Sequence, residues 1–581
     1  MRAKLRGGEK VAPSQKKQIP GVPREPGSLR LYPGLALVLM VLVAYIPVMG
    51  AGWIWDDDAH VTNNETMQSL DGLRRIWFEP GSTPQYYPLV FSSFWIEYQL
   101  WAKDASAFHL ANVLLNGLNA CLIWRVLLKL QVRGAWLAAA VFALHPVHVE
   151  SVAWVTERKN LLSAMFYLFA LLAFLHFVTT RDRRWYLAAF AAFVAALLSK
   201  TVTCTLPAVL FLLIWWRQGQ VTRRNLLYLT PWFAVGVGFG LLTIWMEKHF
   251  IGASGAEWSL TPIQRVLIAG NALAFYVGKL VWPKPLLFIY PRWQVDPTDP
   301  TWYIAPAIVL AVFVGLWVRR RRLGRGPLVA VLVFAGTLFP ALGFFDVYPF
   351  RYSFVADHFQ YLASVPLIAL AVAAGYSVLS GRQSAPYLAG GLLLILAILT
   401  GSQCTHYKSE QTIWEDTLAK HSDSSIAHAR LGLIRAQKEE FGPAADHFRE
   451  VVRLKPDSVA DRLRHANLAS AAGRIEESAA EYRTLLAIDP DSKLILFSLV
   501  NSLTQLSRHD EAAEVLEAAL QQQPADPKLH SALGLVRFEQ GRHDQGIEHV
   551  LTAQRLDPTN EAIGRILEEL RQARNKPSGK Q

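Results

Sequence analysis

Residues 31–405 hold one uncharged or nearly uncharged stretch after another, and this limits the fold more than any other feature of the chain. The first, residues 31–55, is 25 residues without a charge, enough to cross a hydrocarbon core of roughly 30 Å. Further spans follow at 105–124, 134–150, 160–180, 185–199, 201–216, 225–246, 300–318, 326–345, 359–380 and 383–405. Within lipid every backbone polar group must be satisfied internally, so these spans predict an all-α, polytopic membrane domain. Residues 406–581 read as an ordinary water-facing sequence. Apolar residues make up 52% of the 581-residue chain and charged ones 18%, and the apolar excess lies in the first block.

The basic residues sort by side. Arg125, Lys129 and Arg133; Arg181, Arg183 and Arg184; Arg217, Arg223 and Arg224; Arg319, Arg320, Arg321, Arg322 and Arg325; and Arg382 each follow a span descending toward the cytoplasm. Residues 1–30, with eight Lys/Arg against two Glu, join them as a disordered basic cytoplasmic tail without a cleavable signal. The formal charge of +12 therefore reflects membrane topology, and nothing here looks like a nucleic-acid module. Residues 265–295 are interrupted by Lys279, Pro283, Lys284 and Pro285, and read as a re-entrant or interfacial segment. The expectation is eleven crossings, N-terminus in, C-terminus out. Cys121, Cys204 and Cys404 give neither a disulfide framework nor metal-ligand spacing.

Proline recurs at Pro456, Pro490, Pro524 and Pro558, always 34 residues apart, which is the tetratricopeptide period. Small residues fall where two helices must approach, among them Gly432, Ala444, Ala466, Ser478, Ala512, Gly534 and Gly546. Residues 406–581 are thus expected to form an α-solenoid of about four repeats, with a degenerate leading helix at 414–422 and a cap helix at 562–571. Such arrays bind proteins or peptides.

Charged residues that suit chemistry gather where spans leave the membrane. Asp56, Asp57 and Asp58 follow the first span and open a large outer loop, 51–104, whose residues 89–101 read as an amphipathic surface helix. A second cluster holds His145, His148, Glu150, Glu157, Arg158, Lys159 and Asn160. His145, His148 and Glu150 could share a metal, but no third histidine or HExxH helix supports that, and a hydrogen-bonded structural role is the simpler reading. Lys200 is alone in residues 185–216, where an ammonium must snorkel or pair with an anion. A third cluster holds Asp346, Arg351, Asp357 and His358. Carboxylates on one outer loop and cations on others suit deprotonation of an acceptor hydroxyl while cations hold a lipid phosphate leaving group.

The series Trp55-Asp56-Asp57, Tyr86-Tyr87-Pro88-Leu89, Phe108 to Asn116, Leu144 to Val152, Glu157-Arg158-Lys159-Asn160, Leu198-Ser199-Lys200-Thr201, Tyr290-Pro291-Arg292-Trp293 and Phe354 to Leu362 resembles bacterial relatives of the transmembrane-and-tetratricopeptide-repeat family. Its eukaryotic members are O-mannosyltransferases of the GT-C glycosyltransferase fold. Two positions depart from their pattern: Tyr87 stands where Arg is expected before Pro-Leu, and His358 where Arg often follows the Asp. The resemblance implies transfer of a hexose, such as mannose, from a polyprenyl-phosphate carrier to a protein hydroxyl, in the inner membrane of a bacterium with the repeat array periplasmic. It implies Asp57 as base, Asp56 positioning the base or acceptor, and Lys200, Arg158, Lys159, Arg351 and His358 holding phosphate. Asp58, His145, His148, Glu150 and Asp357 are supporting candidates. The residues assign no cofactor, and a divalent cation at Asp56/Asp57 stays open. The alternative is a non-catalytic, membrane-anchored tetratricopeptide scaffold.

Overall fold

The computed structural model describes residues 31–252, 255 and 259–575, and every regular element among them is helical. The basic tail expected at residues 1–30 lies outside the described residues. Six helices are long and apolar enough to cross a membrane: Ala105–Lys129, Val155–Thr180, Thr201–Gln218, Arg223–Phe250, Pro300–Arg319 and Ala385–Thr405. A bent pair, Ala135–Ala143 with Pro146–Ala153, makes a seventh by length, and Tyr32–Ala44, Gly326–Ala341 and Ser364–Leu379 are shorter apolar helices. No residue in the apolar window of Pro300–Arg319 is buried, as expected for a helix that largely faces lipid.

The centre of the membrane domain is the pair Ala105–Lys129 and Arg158–Thr180. Asn112, Asn116 and Asn119 form a fully buried stripe on one face of the first helix. Asn112 Nδ2 donates to Val152 O (3.2 Å), Asn119 Nδ2 donates to Leu161 O (2.9 Å), and Asn116 Oδ1 accepts from Tyr361 Oη (2.8 Å). Side-chain amides of this kind are the glue of helices in lipid. The bent pair breaks by 54° around Leu144 and His145. Thr400 Oγ1 donates to Leu144 O at 2.7 Å, which satisfies a carbonyl left outside the helical ladder.

The two ends of the domain differ in charge. Arg217 donates to Leu130 O (3.3 Å) and Gln131 Oε1 (2.8 Å), and Arg325 donates to Trp215 O (3.0 Å), so basic clusters distant in sequence meet at one end. The carboxylates of the second and third clusters lie at the other end of Arg158–Thr180, about 34 Å away at 1.5 Å per residue.

The segment expected to be re-entrant contains one continuous helix, Pro262–Val281. At its start Arg265 pairs with Asp346 (2.8 Å), and near its end Leu280 O accepts from His145 Nε2 (3.0 Å). Both ends therefore sit against the carboxylate-bearing face, and the helix runs along that face. The amphipathic helix expected at 89–101 is Pro88–Trp101. It buries Phe91 and Phe94 and exposes Ile96, Leu100 and Trp101.

The repeat helices Ser425–Gln437, Val459–Ala471, Lys493–Gln505 and Pro527–Glu539 each pair with a second helix, and Glu561–Asn575 closes the array. The second helices end one residue before each Lys455, Asp489, Gln523 or Asp557, and all four of these have left the α region, with φ between −127° and −136°. Each precedes a proline, whose Cδ disfavours the α conformation there. The leading helix is Glu410–Lys420, a few residues earlier than the sequence suggests, because Ser409 caps it.

Small residues at the helix contacts are needed sterically. A Cβ on Gly534 would meet Val550 Cγ2 at 2.5 Å and Gly546 O at 2.8 Å, and backbone cannot step aside as a side chain can. Gly534→Ala is expected to lower the stability of the array by about 1–3 kcal/mol. Calorimetric unfolding of the full chain checks this, since the array's transition should move while that of the membrane domain does not.

Candidate functional site

The acidic turn follows the first helix directly. Trp55 holds φ at +52°, an outlier for a bulky aromatic that costs on the order of 1–3 kcal/mol and is imposed by its surroundings. The twist at Trp55 separates the fates of the next two carboxylates. Asp57 is fully buried. Its Oδ2 accepts from Ile54 N (3.0 Å), and its Oδ1 accepts from Thr156 N (2.9 Å) and Thr156 Oγ1 (2.6 Å). Asp56 keeps about a third (34%) of its side chain exposed, and its Oδ2 lies 3.8 Å from His60 Nδ1. His60 Nδ1 donates to Asp56 O at 2.8 Å, so that nitrogen carries the proton. Burial lowers the His60 pKa and keeps the ring neutral.

Behind this turn stands Glu157, about 1% exposed. Its Oε1 lies 3.0 Å from Lys159 Nζ and 3.8 Å from His358 Nε2, and its Oε2 lies 3.4 Å from Lys200 Nζ. Asn160 joins the group by donating to Glu157 Oε2 (2.6 Å) and accepting from Lys200 (2.7 Å). Lys159 also donates to Gln85 Oε1 (3.3 Å), which ties the outer loop to the cluster, and it lies within electrostatic reach of Asp56. The break in the bent pair and the short turn over Val155–Glu157 bring Glu157, Lys159 and Asn160 to this point.

Beside Glu157, the Glu150 carboxylate accepts from the His358 backbone N (2.8 Å) and lies 2.9 Å from His358 Nδ1. Asp357 takes the Tyr290 hydroxyl on both oxygens, at 3.0 and 3.1 Å. Burial first, and the Glu150 carboxylate second, push the Asp357 carboxyl well up. Carboxylates, ammoniums and an imidazole from four separate stretches of chain thus form one ladder.

Several residues expected at a phosphate or metal site are elsewhere. Arg158 is 1% exposed and fully engaged: Nε donates to Asn112 Oδ1 (2.5 Å), Nη1 and Nη2 to the Glu97 carboxylate, and Nη2 to Phe108 O (2.9 Å). It clamps the Pro88–Trp101 helix to the core and has no fork left for phosphate. His145 Nε2 donates to Leu280 O, and its Nδ1 accepts from Val147 N (3.4 Å). His148 Nδ1 donates to Phe142 O (2.8 Å) and its Nε2 faces Ser364 Oγ (3.0 Å). With Glu150 turned to His358, these three do not converge on a metal. Arg351 and Asp58 are exposed, outside the buried ladder. Asp57 directs both oxygens at protein donors, and a divalent cation shared by Asp56 and Asp57 does not fit that arrangement. Lys159, Lys200, His358 and Glu150 are brought together. Glu157 and Asn160, placed in the same cluster by sequence but given no role there, complete the group together with Gln85, which sequence did not single out. The available signal was Glu157 two residues before Lys159, with the isolated Lys200 in need of an anion.

Burial, the largest cause, pushes the Asp57 carboxyl up to about 7, and its three donors act in the opposite sense. A folded value above that of a free carboxyl means that Asp57 stabilises the fold most below about pH 4, and that this contribution is lost as pH rises through 7. Asp57→Asn places an amide against these donors and is expected to cost about 1–3 kcal/mol, more at pH 5.5 than at pH 8. Asp56→Asn should leave stability unchanged. Thermal unfolding of both variants at the two pH values checks this.

Residues 83–245 match the Dolichyl-phosphate-mannose-protein mannosyltransferase family, and residues 463–527 and 497–561 match the Tetratricopeptide repeat family. The Protein O-mannosyl-transferase F38B6.6 of Caenorhabditis elegans is 21% identical over 447 residues, covering 73% of this chain and 62% of that protein. The human Protein O-mannosyl-transferase TMTC3 is 21% identical over 607 residues, covering 90% of this chain and 64% of that protein. The Drosophila melanogaster Protein O-mannosyl-transferase Tmtc2 is 31% identical over 207 residues, covering 32% of this chain and 22% of that protein. The chain spans less than two thirds of the length of these relatives. Taken with the helical membrane core and the 34-residue solenoid, these matches make the chain similar to the protein O-mannosyl-transferases and, over residues 463–561, to tetratricopeptide repeats.

Proposed function

We propose that the chain is an integral-membrane glycosyltransferase that moves a hexose, such as mannose, from a polyprenyl-phosphate carrier to a hydroxyl of a protein. The observation that carries this reading is the position of the polar ladder beside an apolar cavity. A cavity of about 590 Å³ runs between the helices Arg158–Thr180, Leu206–Gln218, Gly326–Leu338 and Ser364–Leu379. Its lining includes Thr337 and Leu362, and both also line a small pocket with Asn160 and His358. A lipid phosphate needs an apolar path for its tail and cations for its head, and here the two adjoin.

In this mechanism the acceptor oxygen bonds to the anomeric carbon as the bond from that carbon to the carrier's phosphate oxygen breaks. The hydroxyl proton goes to Asp56. Its carboxylate is about a third exposed and open to an acceptor, while Asp57 holds the turn against Thr156. Lys159 and Lys200 take the charge that develops on the phosphate, with His358 beside them. Glu157 holds the two ammoniums within one site before the donor arrives. The array recruits the protein acceptor. The membrane is the inner membrane of a bacterium, with the basic end of the domain cytoplasmic and the site and array periplasmic.

Asp56→Asn is expected to lower transfer by about 10²–10⁴-fold without loss of stability. Lys200→Met should weaken donor use by roughly 10–150-fold, from loss of about 1.5–3 kcal/mol of charge-assisted contact, and leave acceptor dependence alone. Titrating a polyprenyl-phosphate-linked hexose at fixed acceptor separates the two variants. Mass spectrometry of extracytoplasmic glycoproteins with and without the chain tests the reading as a whole. Identical glycosylation in both would sink it and favour the scaffold.

A further inference from the structure

The acidic turn is held partly by the repeat array. Trp55, the residue before Asp56, is enclosed by four groups. Phe288 and Tyr352 meet its ring edge-on, with centroids at 6.1 and 5.9 Å. Trp414 lies at 5.0 Å, and the Arg430 guanidinium sits 4.4 Å over the ring. The first two belong to the membrane domain. The last two belong to the leading helix Glu410–Lys420 and to the first repeat helix Ser425–Gln437. Just upstream, Gly52 N donates to Lys408 O at 3.0 Å, and Lys420 Nζ donates to Leu286 O (2.9 Å), two residues before Phe288.

Trp55 has a left-handed backbone that an aromatic residue does not adopt unaided. Its conformation therefore depends on the walls around it, and half of those walls are array. The same conformation turns Asp57 inward and leaves Asp56 at the surface. We propose that Trp414 and Arg430 are positioning residues for Asp56, so that the first unit of the array sets the geometry of the acidic turn. The array is then a structural part of the site as well as a docking element. A ligand that shifts the first repeat would act on Asp56 through the contact of Arg430 with the Trp55 ring. The effect on transfer rests on the reading of Asp56 as base; the effect on the turn does not.

The amides that report on the turn are Ile54 N, bonded to Asp57 Oδ2, Asp57 N to Ile54 O, and His60 N to Asp56 O. Hydrogen exchange over residues 53–60 is measured on the full chain in lipid nanodiscs, for the wild type, Arg430→Gln, Arg430→Lys and Trp414→Leu. Arg483→Gln is the control, because Arg483 pairs with Glu511 (2.7 Å) farther along the array. Arg430→Gln and Trp414→Leu are expected to speed exchange in this segment several-fold. Arg430→Lys, which returns a cation to the ring face, should restore most of the protection, and Arg483→Gln should change nothing there. In transfer assays Arg430→Gln should lower kcat and leave the donor KM unchanged. Unchanged exchange in both Arg430→Gln and Trp414→Leu overturns the proposal, as does an equal rise in Arg483→Gln. If exchange responds as expected while no protein transfers sugar, the wild type included, the positioning role stands and the glycosyltransferase reading falls.

Discussion

A carboxylate with almost no exposure to water has to be matched by positive charge close at hand, and Glu157 sets this condition for the whole site. Lys159 and Lys200 lie within 3.0 and 3.4 Å of it. One of these ammoniums is two residues away, in the first turn of the helix that Glu157 precedes, and the other comes from the junction of two later helices. Neither would be tolerated there without the carboxylate, and the carboxylate would not ionise without them. Because the arrangement needs two distant chain segments in register, and His358 from a third beside them, it fixes how the helices around it pack. The buried asparagines along Ala105–Lys129 do the same one layer in, by taking up backbone carbonyls that the bent helices release.

The acidic turn shows how three identical residues acquire different roles. Asp56, Asp57 and Asp58 are adjacent, yet one is a third exposed, one is sealed against Thr156 and one faces outward. The left-handed residue before them makes this division, since it rotates the following peptides by an amount that no extended or helical entry would give. The sealed residue is held by three protein donors, and its neighbour keeps about a third of its side chain exposed. The resemblance implied Asp57 as base; the proposed mechanism gives that part to Asp56, because Asp57 has both oxygens engaged by Ile54 and Thr156.

Much of the fold was legible in the residues. The 34-residue proline period gave repeat helices that start at 425, 459, 493, 527 and 561, because proline and close helix contacts act locally. Uncharged spans marked where apolar helices lie for the same reason, but among the described residues six of these helices, or seven with the bent pair, are long enough to cross a membrane, against the eleven crossings expected. Residues 265–295 were legible only in part: Pro283 marks a real end, but Lys279, expected to interrupt the segment, lies inside a continuous helix from Pro262 to Val281, whose course along one face depends on Arg265 meeting Asp346 and on Leu280 meeting His145.

For the site, sequence alone determined the inventory. It placed acidic, basic and imidazole groups at the ends of membrane helices, and it required that Lys200 find an anion. It did not determine which charge meets which. Arg158 and Lys159 are neighbours with the same sign, and the helix turns one toward Glu97 and the other toward Glu157. Pairing across chain segments is a matter of three-dimensional register, and only the tertiary structure decided it, because the energy of a buried ion pair depends on distances of a few ångströms that spacing along the chain does not encode.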